Sequence, residues 1–168
     1  MHVKILGKTY NIETTIRLFL EDEELNTLPD PVLKLANLEV LRLSNNNLVT
    51  LPESIDLLTK LRMLVLNNNK LETLPDSISN LVNLQFICIY NNQLTSLPKS
   101  ILKIKDKVCV DYSSYQLDNL DQSCEFLIFK FLGKPINNLP YNLKEIWLDK
   151  AITKYEIKLP FGCVIKKY

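Results

Sequence analysis

Residues 38–60 (LEVLRLSNNNLVTLPESIDLLTK), 61–83 (LRMLVLNNNKLETLPDSISNLVN) and 84–106 (LQFICIYNNQLTSLPKSILKIKD) lie over one another at a period of 23 residues. Each reads L-x-x-L-x-L-x-x-N-x-L-x-x-L-P-x-x-I-x-x-L/I-x-x. A chance L-x-x-L-x-L is common in a leucine-rich chain. A framed Asn and a framed Leu-Pro recurring in the same register are not, so the period decides the architecture. Each unit is too small to bury its own apolar face and must stack on its neighbours.

The consensus positions have separate physical roles. Side chains alternate along a strand, so Leu41 and Leu43 point inward, and Leu64 with Leu66 and Ile87 with Ile89 continue the same two rows. Asn46, Asn69 and Asn92 form a ladder, because a buried Asn carries both donors and an acceptor for loop backbone. Pro29, Pro52, Pro75 and Pro98 open the opposite side at the first position of a short helix or 3₁₀ turn, where a missing N–H is harmless. Asp30, Glu53 and Asp76 follow three of them, where a carboxylate favours the positive end of a turn. Val32, Ile55, Ile78 and Ile101 return the chain to the core.

The register decays outward. A step back of 23 residues from repeat one gives Leu18, Leu20, Glu23, Leu25 and Leu28, with Glu23 replacing the Asn. A step forward from repeat three gives Val110, Tyr112, Tyr115, Leu117 and Leu120. There Lys107 stands at a core leucine position and Tyr115 at the Asn position. Tyr112 and Tyr115 are read as end-cap packing. Terminal units of a stacked array depart from consensus because they close the core against water.

The pattern predicts a single α/β domain over residues 1–168: a solenoid with a concave parallel β-sheet and convex short helices or 3₁₀ turns. Residues 1–13 form an N-terminal hairpin cap around a Gly7-Lys8 turn, 14–120 the repeats, and 121–168 a C-terminal helix and cap. The helix is placed over residues 121–133, with Asp121 as N-cap and Gly133 just past its end. It is apolar almost all round and therefore buried. Leu143, Ile146 and Leu148 restore L-x-x-L-x-L after an apparent insertion, which predicts another strand on the same sheet. Pro160-Phe161-Gly162 reads as a final turn between short strands at 155–159 and 163–165.

Net charge is +1, which leaves no electrostatic footprint for nucleic acid or anionic membrane. No apolar run spans a bilayer, and HVKILGKTYNI after Met1 lacks a signal-peptide core. The chain has 17 lysines, three arginines and 17 asparagines, a bias of an A+T-rich genome rather than of a ligand. Cys88, Cys109, Cys124 and Cys163 are read as thiols of a reducing compartment, without terminal clusters. In the 23-residue frame Cys88 and Cys109 are diagonal by two residues. That puts their Cα atoms about 8 Å apart, beyond the roughly 7 Å limit for a disulfide. His2 is the only histidine and no CxxC occurs, which argues against zinc. It also leaves no Ser-His or Cys-His pair, and no phosphate-binding glycine loop is present. No cofactor or metal and no enzymatic activity are expected.

The outward positions form a lattice. One row runs Arg17, Val40, Met63, Phe86, Cys109. The next runs Phe19, Arg42, Val65, Cys88, Asp111, and a third Glu21, Ser44, Asn67, Tyr90, Ser113. Val40, Arg42, Met63, Val65, Phe86, Cys88 and Tyr90 make an apolar patch with a charged rim that includes Glu39, Arg62 and Asp111. Trp147 joins it if the last strand extends the sheet. Such a patch has the anatomy of a protein-binding site. Two other readings stay open: terminal segments fold over it, or it is an ordinary sheet surface.

Residues 14–120 resemble the 23-residue LPxxI-type leucine-rich repeats of intracellular Ras-binding scaffold and plant intracellular repeat proteins. Residues 136–148 (INNLPYNLKEIWL) resemble the FNIP repeats of amoebae and giant viruses through the LP-x-x-L-K-x-I/L-x-L core, without the initial Phe-Asn. The resemblance implies a non-enzymatic, monomeric module that binds a protein on its concave face in the cytoplasm, the host's if viral. The alternative is a structural or virion component that self-associates.

Overall fold

The computed structural model describes residues 1–110, 115, 124–130, 136 and 139–168. Among them, strands β3 (Arg17–Phe19), β4 (Val40–Arg42), β5 (Met63–Val65), β6 (Phe86–Cys88) and β7 (Val108–Cys109) pair in parallel and in chain order. Leu18, Leu41, Leu64 and Ile87 stand side by side across the first four strands. All are buried, as are Leu20, Leu43, Leu66 and Ile89 two residues on. On the convex side run 3₁₀ helices at Asp30–Lys34, Glu53–Leu57, Asp76–Asn80 and Lys99–Lys107. This is an α/β solenoid with short 3₁₀ segments as its helical layer.

Each proline precedes its 3₁₀ helix instead of occupying the first helical position. Pro29, Pro52, Pro75 and Pro98 have φ of −62°, −69°, −68° and −64° with extended ψ. Their carbonyls accept from the N–H groups of Val32, Ile55, Ile78 and Ile101 at 2.9 to 3.1 Å. Those four side chains are fully buried, so one residue turns the chain while the third after it anchors the turn.

The asparagine ladder binds successive repeats together. Asn69 Nδ2 donates to Leu66 O of its own repeat at 3.0 Å and to Leu43 O of the preceding one at 2.9 Å. Asn69 Oδ1 accepts from Leu48 N at 3.0 Å. Asn92 does the same with Ile89 O, Leu66 O and Leu71 N, and Asn46 with Leu43 O, Leu20 O and Leu25 N. Beside it runs an exposed ladder that the sequence reading missed. Asn68 Nδ2 donates to Asn45 Oδ1 at 2.6 Å, and Asn91 Nδ2 to Asn68 Oδ1 at 3.0 Å. Asn45, Asn68 and Asn91 all have positive φ, 57°, 57° and 48°. Asn tolerates that left-handed conformation better than other side chains do, which accounts for the doubled asparagines.

At the N-terminus β1 (His2–Ile5) and β2 (Lys8–Asn11) form an antiparallel hairpin. Its turn residues are Leu6 (φ 47°) and Gly7 (φ 79°), one residue earlier than the Gly7-Lys8 turn read from sequence. Positive φ at both central positions matches the twist of a two-residue hairpin. Ile5 joins the core, and Val3, Tyr10 and Ile12 pack against it.

The C-terminal part departs from expectation in three ways. First, the repeat after β6 is short. Ile87 pairs with Val108 and Cys88 with Cys109, a step of 21 residues instead of 23. A slip of two residues keeps every side chain on its original face: Val108 and Val110 stand in the two core rows, and the position of Leu84 falls on Lys105. Tyr115 accordingly pairs with Leu94, not with the asparagine position.

Second, the predicted helix is contradicted: Phe126–Phe129 is strand β8, and every one of its side chains is buried. An apolar run of this length fits a buried strand as well as a buried helix, and Phe-Leu-Ile-Phe favours the strand. Asp121 and Gly133 lie outside the described residues.

Third, β9 (Glu145–Leu148) does not extend the five-stranded sheet. It lies between β8 and β10 (Val164–Lys167) in a second, parallel sheet. Phe126 pairs with Glu145 and Glu145 with Val164, so this part of the solenoid advances by 19 residues per strand. What reads as an insertion in a 23-residue frame is a change to shorter repeats. The expected turn is present, with Gly162 at φ 79° and Cys163 N donating to Pro160 O. The strand before it is reduced to a single bridge between Ile136 and Ile157.

The two sheets meet through Lys130 N, which donates to Val110 O at 2.8 Å, and through Tyr115. The Tyr115 hydroxyl donates to Ile128 O at 2.9 Å and accepts from Ile128 N at 3.0 Å, taking the place of a neighbouring strand. Its ring meets Phe129 edge-on at 5.1 Å. Burial holds the phenol protonated far above its ordinary range, which fixes it as a donor.

Two stability experiments follow. Asn69→Leu strands buried backbone groups at about 1–3 kcal/mol each, whereas Asn68→Leu costs only about 1–2 kcal/mol for its left-handed backbone. Urea unfolding should rank Asn69→Leu as the more damaging, and the reverse order would contradict the ladder. Tyr115→Phe keeps the ring but removes both partners of Ile128, an expected loss of about 1–3 kcal/mol. An unchanged urea midpoint would show that the hydroxyl is not the joint.

Candidate functional site: the concave face

Backbone pairing places the outward residues in rows. Val40, Met63 and Phe86 are direct lateral partners, and so are Phe19, Arg42, Val65 and Cys88. Hydrogen bonds from Asn45 N to Asn67 O and from Asn68 N to Tyr90 O set Ser44, Asn67 and Tyr90 in a third row. The structure thus brings Val40, Arg42, Met63, Val65, Phe86, Cys88 and Tyr90 onto one surface. Met63 is 39% exposed, Val40, Val65, Phe86 and Tyr90 are half-buried, and Cys88 is buried.

Trp147 is not part of that surface. β6 adjoins only β5 and β7, and Trp147 belongs to the second sheet. There the ammonium groups of Lys105 and Lys166 each lie 4.9 Å from its ring centroid, and its Nε1 donates to Glu145 Oε2 at 2.8 Å. Lys166 Nζ also donates to Glu145 Oε1 at 2.6 Å. That hydrogen bond holds the Glu145 carboxyl below its ordinary range, against the opposing effect of partial burial. Trp147 is occupied by Lys166 and Glu145 of its own sheet and by Lys105 of the last 3₁₀ helix.

Two residues complete the concave face. Phe19 is 53% exposed, with the Arg42 guanidinium 5.7 Å above its ring. Arg42 also pairs with Glu21 at 2.8 Å, so this cation is positioned from two sides at the N-terminal rim. Below the first row, Arg62 reaches Glu39 at 3.8 Å and Gln85 at 3.3 Å. A uniform 23-residue frame makes Cys109 the neighbour of Phe86; the shortened repeat puts it opposite Cys88. The Tyr90 hydroxyl and Cys109 Sγ share a hydrogen bond of 2.7 Å. Asp111 and Ser113, the remaining row members, lie outside the described residues.

The polar groups under the patch serve one another. Asn67 Oδ1 accepts from Ser44 Oγ at 3.0 Å and lies 3.9 Å from Cys88 Sγ. The surface so formed is shallow, with apolar side chains at its centre and paired charges at its edge. Such a surface offers apolar area at its centre and charge at its edge. Among the described residues no three His, Cys, Asp or Glu side chains group as a metal site, and no helix is long and apolar enough to cross a membrane.

Comparison with known proteins agrees with the geometry. Residues 16–71 match the family described as leucine rich repeat. No curated protein matches the chain. A solved leucine-rich repeat protein of Leptospira interrogans is 28% identical, with a TM-score of 0.54 over 86% of this chain and 40% of its own. This chain therefore spans about two fifths of that protein's length. The leucine-rich repeat domain of the type III effector XopL is 18% identical, with a TM-score of 0.47 over 89% of this chain and 75% of its own. Its period, its asparagine ladder, the match over residues 16–71 and the likeness to the Leptospira structure give this chain the fold of a leucine-rich repeat solenoid.

Proposed function

We propose that this protein is a non-enzymatic interaction module that binds a protein partner on the concave face of β4, β5 and β6. The observation that carries the reading is the lateral row Val40–Met63–Phe86 beside Val65 and Cys88. It is an apolar surface on a sheet whose opposite face is already fully packed. Arg42, Glu39 and Arg62 at its edge supply a charged rim. An apolar centre inside a polar rim is how protein interfaces are built. Trp147 leaves this site, because its face is taken up by Lys105, Lys166 and Glu145.

The resemblance of residues 136–148 to FNIP repeats and the Lys- and Asn-rich composition extend the reading to a cytoplasmic protein of an amoebal or giant-virus system. The rival is self-association of a structural component, which sedimentation over a concentration series separates from a monomeric binder. The test of the face itself is the double variant Met63→Glu with Phe86→Glu. Free protein leaves both carboxylates in contact with water, whereas a bound partner must desolvate them. Partner capture should be lost while stability changes by less than about 1–2 kcal/mol. Full retention of capture would remove the concave face as the site.

A further inference from the structure

We propose that Cys88 and Cys109 are a disulfide-forming pair, oxidised by peroxide, that ties the third repeat covalently to the fourth. The pair arises from the two-residue slip. In a uniform 23-residue frame the two cysteines would be diagonal and out of reach. In the structure they are direct partners on parallel strands. Direct partners stand about 4.8 Å apart at Cα, inside the range of about 4.4–6.8 Å in which disulfides close.

The side chains support the pairing. Both are on the concave face, since the residues flanking them, Ile87, Ile89, Val108 and Val110, are all fully buried in the core. Cys109 Sγ meets the hydroxyl of Tyr90, two residues beyond Cys88, at 2.7 Å. Cys88 Sγ lies 3.9 Å from Asn67 Oδ1. A turn of the Cys88 side chain about χ1 brings it toward its partner, and such a turn is a change between staggered wells. β7 is only two residues long, so the strand can give where a longer one could not. All four cysteines are thiols in the structure. Cys124 and Cys163 have no place in the pair: they lie outside the first sheet, and Cys124 Sγ donates to Phe126 O.

Exposure selects the oxidant. Cys88 is 5% exposed and Cys109 3%, which admits hydrogen peroxide and excludes a bulky disulfide such as oxidised glutathione. One thiolate attacks a peroxide oxygen and the O–O bond breaks, giving a sulfenic acid and hydroxide. The second thiolate then attacks that sulfur, the S–O bond breaks and a second hydroxide leaves. Two thiols lose two electrons and two protons, and one peroxide becomes two waters. The product bridges adjacent strands within the apolar patch, and its formation does not depend on any partner.

The test uses the full chain carrying Cys124→Ser and Cys163→Ser. One equivalent of hydrogen peroxide should consume both remaining thiols, lower the mass by two hydrogens and leave the chain monomeric. Tryptic digestion without reductant should give the Cys88 and Cys109 peptides linked to one another. The thermal midpoint should rise on oxidation and return with dithiothreitol. Cys88→Ser in that background should abolish the linkage and the shift. Added oxygen on either cysteine without a linked peptide would overturn the proposal, as would two thiols surviving peroxide in the native state.

Discussion

Each buried asparagine holds a carbonyl of its own repeat and a carbonyl and an N–H of the repeat before it. Asn69 therefore fixes the distance, the height and the rotation between two coils with one amide. Backbone leaving a short strand has nothing regular to bond to, and a three-residue strand supplies few ladder bonds of its own. Without the amide, each coil would bury carbonyls it could not satisfy. The leucine rows supply the attraction between coils, but attraction between apolar rows is indifferent to register. The amide makes a 23-residue step the favoured one while Asn46, Asn69 and Asn92 recur.

Where the asparagine stops, the step changes. After Asn92 the chain moves by 21 residues, and beyond β8 by 19. Tyr115 takes over at the junction, its hydroxyl bonded to both backbone groups of Ile128. A phenol can perform this one joint because it both donates and accepts at a single atom. In the second sheet β9 lies between β8 and β10, and Lys166 of β10 donates to Glu145 of β9.

The legible part of the fold was the part where environment repeats. Leu41, Leu64 and Ile87 were readable because each position occurs several times in the same surroundings, so coincidence averages out. The run Phe126–Phe129 occurs once and is buried on every side, and it carries no period to separate strand from helix. The 19-residue step was hidden for a related reason. Ile146-Trp147-Leu148 and Ile165-Lys166-Lys167 share one hydrophobic residue in register, too little for a motif. On the concave face the rows of β4 to β6 could be read from alternation alone. Trp147 could not, because its placement depends on which sheet receives β9.

The two-residue slip reshapes the concave surface: counted back from the pairing of Ile87 with Val108, Lys107 falls opposite Phe86 and ends the first outward row. With a uniform period, Asp111 would have stood beside Cys88, and a carboxylate would have ended the apolar row. Moving the strand by two residues cost no change of face, because alternation has a period of two. It exchanged that carboxylate for the Cys109 thiol and drew the Tyr90 hydroxyl over it. The apolar character of the row therefore runs one strand further than the repeat pattern implies. The register of β7 thus sets where each apolar row ends: the second row gains the Cys109 thiol and the first stops at Lys107.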